Sequence, residues 1–338
     1  MGNEDIQYQK TINWGIIGCG NVTEVKSGPA FSKVSHSKLM AVMRRDAAKA
    51  ADYAKRHNVP RWYSNASDLM DDPEINAIYI ATPPKQHEEY ALAALNRGKF
   101  VYIEKPVTTD VLSCSRMIEA VQKTKGKLVV AHYRRAVPMF QYIKRVVEDG
   151  RLGKIKSIQL HMFQPHNTEL IASAEANWRV IPELSGGGYF YDLAPHQLDF
   201  LQFVFGTPIR YHGLAVHQSK YYPAEDVVSG MIEYPHDIIF NGQWHFDMPD
   251  SRKEDICLII GEGGSIEFPF FGNTVKITTS FKDEIIPFEH PTHIQQPMIE
   301  KVVRYFLGEE ENPCTVEEAM ASLRVMENFV YSTTIIGP

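Results

Sequence analysis

Short apolar segments alternate with helix-compatible segments through the first third of the chain. The apolar segments lie at residues 12–17, 38–43, 76–81, 100–103 and 128–131, and the helical ones at 47–56, 86–97 and 111–124. Buried strands separated by helices of this length are typical of a parallel sheet with both faces covered. Residues 1–134 are therefore predicted to form a doubly wound, Rossmann-like α/β domain.

The hydrophobic period changes after residue 135, where a helix is predicted at 138–148. The segments that follow alternate apolar and polar residues and lie at 154–164, 210–218, 227–246, 257–270 and 273–279. Two of them contain short turns, so we expect a large, open and mostly antiparallel sheet. Further helices are predicted at 188–205, 294–307 and 316–331. Residues 135–338 are thus predicted to form an α+β domain, with the option that its last helix packs back on the first domain.

Composition narrows the classes of function. A chain of 338 residues with 44% hydrophobic and 22% charged residues is typical of a globular protein of two domains. The net charge of −6 offers no basic surface for nucleic acid or membrane, and no apolar run approaches the roughly 18–20 residues that span a bilayer. The N-terminus lacks the apolar core of a signal peptide, and the four cysteines form no C-x-x-C pair. We expect a cytoplasmic protein without a metal site or disulfides.

The turn after the first strand, within GIIGCGN at 15–21, has the form of a dinucleotide site. Gly18 and Gly20 match the first two positions of the G-x-G-x-x-G fingerprint, and Thr23 stands at the third. Glycine permits a tight turn and close backbone approach, and the N–H groups of Asn21 and Val22 that follow suit a pyrophosphate. The alternative is an ordinary strand-to-helix turn.

The residues after the second strand bear on the choice of cofactor. NAD selectivity normally comes from an acid about 20 positions beyond the glycines, which hydrogen-bonds the ribose 2′-hydroxyl. Arg44 stands at that place, with Arg45 after it, and a guanidinium there suits the 2′-phosphate of NADP. The competing acid, Asp46, is well placed to cap the next helix. NADP is therefore favoured over NAD.

Several motifs in register resemble those of one family. They are GIIGCGN at 15–21, ATPP at 81–84, EKP at 104–106, GGGYFYDLAPHQLD at 186–199 and HIQQP at 293–297. Over nearly its whole length the chain resembles the glucose-fructose oxidoreductase/inositol dehydrogenase (Gfo/Idh/MocA) family. The resemblance implies an NAD(P)-dependent oxidoreductase for sugars, polyols or related compounds. It also implies a homodimer or homotetramer that pairs through the open face of the C-terminal sheet.

The predicted helix at 188–205 carries candidate catalytic residues. Asp192, His196 and Asp199 are spaced i, i+4 and i+7, which places them on one helix face. Histidine titrates in the range useful for moving a hydroxyl proton, and a nearby carboxylate fixes its tautomer. We predict His196 as the acid/base, Asp192 beside the substrate and Asp199 as an orienting group. The alternative is an ordinary polar helix surface.

Lys105 follows the predicted strand at 100–103, at the carboxyl edge where doubly wound sheets bind ligands. An ammonium there polarises a carbonyl or stabilises an alkoxide, and the alternative is one more solvated lysine. Glu104 is predicted either to pair with Lys105 or to bind a cofactor ribose. His87 is expected to be either a ribose neighbour or a helix cap. The resemblance also places one loop against the cofactor, namely Ala81, Thr82, Pro83 and Pro84.

Two further segments are candidates for binding substrate. Tyr133, Arg134 and Arg135 end a predicted strand, and they either reach an anionic or hydroxylated substrate or form an interdomain salt-bridge cluster. Trp178 and Arg179 either line the substrate pocket or anchor the loop before the triple glycine. The predicted substrate contacts are Lys105, Arg135, Trp178, Arg179, Asp192 and His196.

Three functions stay open at this point. A dehydrogenase or reductase for sugars, polyols or small carbonyl compounds is favoured, because Lys105, Asp192 and His196 are all present. The alternatives are an NAD-dependent glycoside hydrolase and a non-catalytic sensor that keeps the cofactor pocket. A homo-oligomer is expected because a sheet of about six strands is followed by too few helices to cover both of its faces.

Overall fold

A computed structural model describes residues 11–171, 177–219 and 221–331. The predictions about the N-terminal ten residues lie outside the described residues, as do residues 172–176 of the loop before the triple glycine. Within the described ranges, no helix is long and apolar enough to cross a bilayer.

The first domain is built on a parallel sheet of six strands. The strands are β1 (Ile12–Ile17), β2 (Ser37–Met43), β3 (Arg61–Tyr63), β4 (Ala77–Ile80), β5 (Phe100–Ile103) and β6 (Leu128–Val130). The helices are α1 (Asn21–Val25), α2 (Ala47–Arg56), α3 (Ala66–Asp71), α4 (His87–Asn96) and α5 (Val111–Thr124). The order β3-β2-β1-β4-β5-β6 switches direction between β1 and β4, and a ligand crevice opens at the carboxyl ends of such a pair. The predicted doubly wound sheet is confirmed.

The second domain is built on a sheet of eight strands. The strands are β7 (Ile155–Phe163), β8 (Arg210–Val216), β9 (Val227–Tyr234), β10 (Ile238–His245), β11 (Glu254–Gly261), β12 (Gly264–Phe268), β13 (Thr274–Thr279) and β14 (Asp283–Pro287). The helices are α6 (Pro138–Glu148), α7 (Pro182–Ser185), α8 (Tyr189–Phe205), α9 (Gln296–Leu307) and α10 (Val316–Tyr331). In the order β14-β13-β12-β11-β7-β10-β9-β8, every pair is antiparallel except β7 with β10. The mostly antiparallel sheet is confirmed, with more strands than expected and one parallel pair.

The hydrophobic pattern does not predict β3, α3 or β14. These elements have three, six and five residues, and segments so short show no reliable period. β14 also lies at the edge of its sheet, where its side chains are exposed or half-buried.

One face of the second sheet is covered within the chain. Phe329 of α10 packs on Gly213 and Gly230, where a Cβ would approach its ring to 2.6 and 2.1 Å, so only glycine lets the helix lie this close. On the opposite face, Leu214 and Met231 are 67% and 55% exposed. That face stays open in the single chain.

The C-terminal helices also contact the first domain. Phe306 of α9 lies 5.7 Å from the ring of Trp14 and 4.9 Å from that of Phe100. Glu327 of α10 accepts the backbone N–H of Val111 at 2.8 Å. The last two helices, which follow the second sheet in the chain, therefore pack against the first domain. The predicted boundary between the domains lies at residues 134 and 135.

Candidate active site

The turn between β1 and α1 lies directly against the loop after β4. The backbone N–H groups of Gly18 and Cys19 both donate to the carbonyl of Met43, at 2.9 and 3.2 Å. Gly18 has a φ of +92°, and a Cβ there would lie 2.9 Å from the carbonyl carbon of Ala81. Both the left-handed backbone and the lack of space therefore require glycine at this position.

Thr23 replaces the third glycine of the fingerprint with a side-chain cap. The Gly20 N–H donates to Thr23 Oγ1 at 3.0 Å, and the Thr23 hydroxyl donates back to the Gly20 carbonyl at 2.8 Å. Tyr53 of α2 donates its hydroxyl proton to the Thr23 carbonyl at 2.7 Å. Asn21 and Val22 form the first turn of α1, whose N–H groups point toward the N-terminal end of the helix.

Thr82 supplies a test of whether this crevice fits a dinucleotide. Its Oγ1 is buried and has no hydrogen-bond partner among the described residues. The side chain stands beside Gly18, whose added Cβ would meet Thr82 Cγ2 at 2.9 Å. A buried hydroxyl without a partner indicates a group that is supplied from outside the chain. Pro83 and Pro84 continue this loop into α4.

The residues after β2 are arranged as two cations followed by a cap. Arg44 is half-buried, and its Nη1 donates to the carbonyl of Cys19 at 3.4 Å, which draws the guanidinium toward the glycine turn. Arg45 is exposed. Asp46 accepts the N–H of Lys49 at 3.1 Å and caps α2.

His87 connects two loops through its ring and is fully buried. Its Nε2 lies 2.8 Å from the carbonyl oxygen of Thr82, and its Nδ1 lies 3.0 Å from that of Pro106. Burial lowers the pKa of His87, so the ring is neutral at neutral pH. The expectation that His87 caps the helix is wrong, because Gln86 is the N-cap of α4 and the His87 ring faces carbonyl oxygens of the ATPP and EKP loops. Its place beside a ribose stays a prediction.

Glu104 faces the interior instead of pairing with the ammonium of Lys105. Tyr79 donates its hydroxyl proton to Glu104 Oε1, and Gln295 Nε2 donates to the same oxygen at 2.7 Å. The backbone N–H of Lys105 donates to Glu104 Oε2 at 3.2 Å. Gln295 was not among the predicted site residues, although it lies in the HIQQP motif, which was one of the motifs that indicated the family. The C-terminal HIQQP segment therefore holds the EKP loop in position through the hydrogen bond from Gln295 to Glu104.

The triple glycine allows α8 to begin in close contact with its neighbours. Gly186 has a φ of +88°, and an added Cβ would lie 3.2 Å from the carbonyl oxygen of Thr109, just beyond the EKP loop. A Cβ on Gly187 would lie 2.2 Å from the ring of Tyr191. These contacts bring the first turn of α8 to the mouth of the crevice in the first domain.

Lys105 and Asp192 join the two domains at that mouth. Lys105 Nζ donates to Asp192 Oδ1 and to the Asp192 carbonyl, each at 2.8 Å, and Arg179 Nε donates to Asp192 Oδ2 at 3.1 Å. Burial acts to raise the pKa of Asp192, but the charges of Lys105 and Arg179 outweigh it and lower the pKa to about 2. The Arg179 guanidinium lies 4.5 Å from the ring of Trp178, which holds it in place. Asp192 is therefore an anion between two cations.

His196 lies one helical turn further along α8, and it is 5% exposed. Its ring meets those of Tyr133 and Phe271 edge-on, at 5.0 and 5.9 Å. Nδ1 is buried and has no hydrogen-bond partner within the described part of the chain. Burial, and then the charges of Lys105 and Arg134, hold the pKa of His196 well below its usual range, so the imidazole is neutral at neutral pH.

Two predictions about the end of this region need correction. Arg135 is 3% exposed, with Nε and Nη2 on the carboxylate of Asp199 at 2.9 and 2.7 Å and Nη1 on Glu318 at 3.0 Å. Arg135 therefore belongs to a salt-bridge cluster, which was the alternative interpretation, and its prediction as a substrate contact is wrong. Because Asp199 holds Arg135, it does not orient His196, whose tautomer no described carboxylate fixes.

Two family models match this chain, one for each domain. The oxidoreductase family model with an NAD-binding Rossmann fold matches residues 12–132, and the GFO/IDH/MocA C-terminal domain model matches residues 140–267. Together they span most of the described sequence.

This chain is also similar in sequence or in fold to individual oxidoreductases. Oxidoreductase P35 from Formosa agariphila is 44% identical over 321 residues, which are 95% of this chain and 99% of that protein. Inositol 2-dehydrogenase 2 from Saccharopolyspora erythraea is 31% identical over 200 residues, 59% of this chain and 55% of that protein. The crystal structure of aldose-aldose oxidoreductase from Caulobacter crescentus with glycerol shares the fold, with a TM-score of 0.82 and 20% identity over 94% of this chain and 96% of that one. The chain belongs to the GFO/IDH/MocA family of NAD-binding oxidoreductases.

Proposed function

We propose that this oxidoreductase transfers a hydride between a nicotinamide and a CH–OH group of a sugar, a polyol or a related small compound. The observation that carries the proposal is the meeting of Lys105, Asp192 and His196 beside the crevice that begins at the glycine turn. The names of two relatives, inositol 2-dehydrogenase and aldose-aldose oxidoreductase, support a polyhydroxylated substrate.

The residues of the crevice fit a dinucleotide. The N–H groups at the start of α1, at Asn21 and Val22, are suited to the pyrophosphate, and the unpartnered Thr82 hydroxyl borders the same space. When bound, the nicotinamide supplies the site that accepts or releases the hydride.

The protein residues would move the proton and stabilise the oxygen. In the oxidative direction, neutral His196 accepts the hydroxyl proton of the substrate, and in the reductive direction it returns that proton to the carbonyl oxygen. Lys105 Nζ donates a hydrogen bond to the same oxygen and offsets its developing negative charge. Asp192 holds the ammonium in place, and Arg179 in turn positions the Asp192 carboxylate. The burial of His196 keeps water from competing for the proton.

One assay separates this proposal from its two alternatives. The protein is mixed with oxidised or reduced cofactor and a panel of sugars and polyols, and the absorbance of the reduced nicotinamide is followed. Stoichiometric conversion of cofactor and substrate supports the dehydrogenase. Release of a sugar from a glycoside without net cofactor conversion supports the hydrolase, and binding without any turnover supports the sensor.

NADP is the proposed cofactor, because Arg44 and Arg45 stand where an NAD-type acid is expected and Asp46 is engaged as a helix cap. The test compares the Kd of NADP and NAD in the wild type and in Arg44→Asp. The wild type should prefer NADP, and the variant should shift toward NAD. A wild-type preference for NAD, or no shift in the variant, contradicts the assignment.

A homodimer or homotetramer is proposed through the open face of the second sheet, which carries the exposed side chains of Leu214 and Met231. Light scattering should give a mass that is a multiple of the 38.4 kDa chain, and Met231→Lys should lower it. A wild-type mass of one chain at micromolar concentration contradicts the proposal.

A further inference from the structure

Arg134 is a buried cation that forms no ion pair with a carboxylate of the described residues. It is 5% exposed, and within the described residues it forms no salt bridge, whereas the adjacent Arg135 binds Asp199 and Glu318. Arg134 Nη1 donates to the Tyr133 hydroxyl at 3.3 Å, while its Nε is buried without a hydrogen-bond partner in the described part of the chain. Buried guanidinium groups are normally paired, so this one lacks an anion.

Aromatic rings surround the guanidinium without providing that anion. Its central carbon lies 4.4 Å from the ring centre of Phe271 and 5.3 Å from those of Tyr133 and Phe140. Such contacts stabilise a cation, but they leave its N–H donors unsatisfied. The carboxylate of Asp255 is near enough for the charge of Arg134 to act on its pKa, but it accepts the backbone N–H groups of Phe270 and Phe271 and forms no ion pair with Arg134.

The cation is also close to the proposed acid/base. Tyr133 and Phe271, two of the rings around Arg134, are the same two rings that contact His196. Three cations therefore lie around the proposed substrate site, namely Lys105, Arg179 and Arg134. The carboxylates facing them are those of Asp192 and Asp255, and burial raises the pKa of Asp255. A site with this excess of positive charge attracts an anionic ligand.

We propose that Arg134 binds a carboxylate group of the substrate, so that the enzyme acts on a sugar acid, such as a uronate or an aldonate, in preference to the neutral sugar. The proposal rests on the proposed function and specifies its substrate class. A carboxylate matches the planar fork of a guanidinium with two parallel hydrogen bonds, and it supplies the acceptor that the Nε proton lacks. Arg134 is thus assigned as a determinant of specificity.

Binding and turnover are measured separately on matched pairs of ligands. Calorimetry with the oxidised cofactor present compares D-glucuronate with D-glucose, D-galacturonate with D-galactose, and D-gluconate with sorbitol. The wild type should bind the acid of at least one pair about 10- to 100-fold more tightly, as expected for hydrogen bonds to a charged group. Arg134→Met should abolish that preference, and Arg134→Lys should retain only part of it because lysine keeps the charge but not the fork. Arg116→Met, on the exposed surface, is the control and should leave it unchanged.

The outcomes separate this proposal from the proposed function. Equal or weaker binding of the acids in every pair, or a full preference in Arg134→Met, overturns the role of Arg134. An equal loss on acid and neutral ligands in Arg134→Met also overturns it and shows a structural role. Tight binding of an acid without any cofactor reduction contradicts the dehydrogenase and leaves the carboxylate site standing. If Arg134→Met does not fold, the wild-type pairs and Arg134→Lys decide the question.

Discussion

Replacing His196 with asparagine removes the proposed acid/base and keeps a polar side chain in its place. The buried Nδ1 of the ring has no partner among the described residues, so the substitution breaks no hydrogen bond at that nitrogen. What is lost are the edge-on contacts with Tyr133 and Phe271, worth about 0.5–1.5 kcal/mol each. A destabilisation of about 1–3 kcal/mol leaves a domain with roughly 5–15 kcal/mol of stability folded.

The catalytic effect should be much larger. General acid–base groups contribute about 10²–10⁴-fold, so kcat should fall by that factor, which corresponds to about 2.7–5.4 kcal/mol in the activation barrier. The Kd of the cofactor should change by less than about twofold, since His196 contacts Tyr133 and Phe271 and not the glycine turn.

The pH profile provides a second measurement on the same variant. A base must be unprotonated, and the pKa of His196 lies well below the ordinary value of 6.5 because of burial and the nearby charges of Lys105 and Arg134. Activity in the oxidative direction should therefore persist below pH 6.5 and fall only as the pH passes through the lowered pKa. In His196→Asn this acidic limb should disappear from the residual activity. Full activity in the variant, or a wild-type limb at or above pH 6.5, contradicts the assignment of His196 as the base.

Three further perturbations test other parts of the structure. Lys105→Met should lower kcat by about 10²–10³-fold, with a smaller change in the Kd of the cofactor. Lys85→Met, at an exposed lysine, is the control and should change neither quantity. An equal loss in cofactor binding makes Lys105 a cofactor ligand instead. Gly18→Ala should lower the free energy of unfolding by about 1–3 kcal/mol and weaken cofactor binding, because the φ of Gly18 is +92° and the new Cβ would lie 2.9 Å from Ala81. Gly20→Ala is the control and should keep the wild-type unfolding midpoint, because its new Cβ would meet no atom closer than 3.8 Å. Equal midpoints for the two variants contradict the steric argument. His132 is buried, and burial lowers its pKa to about 4. Between pH 6.5 and 4 the unfolded state therefore binds more protons than the folded state, so the free energy of unfolding decreases by up to about 1.4 kcal/mol for each unit by which the pH is lowered. Urea unfolding at pH 7 and 5 should show a smaller decrease in His132→Asn, and an unchanged decrease excludes His132 as its source.

The elements that are long and strongly patterned could be predicted from the sequence alone. The prediction of α5 at 111–124, α6 at 138–148 and α10 at 316–331 agrees with the structure at both ends. Such helices bury one face and have local end signals, and both features are written in neighbouring residues. The spacing of Asp192, His196 and Asp199 likewise placed them on one helix, because helical geometry depends on position in the chain alone.

The partners of the site residues, in contrast, follow from the tertiary fold. Arg134 and Arg135 are adjacent in sequence, yet Arg135 forms ion pairs with Asp199 and Glu318, while Arg134 lies among aromatic rings and forms no ion pair within the described chain. The role of Gln295 in supporting Glu104 arises in the same way, from residues 191 positions apart. Pairings of this kind depend on how helices and loops from two domains pack together, and a local pattern of residues contains no information about that packing.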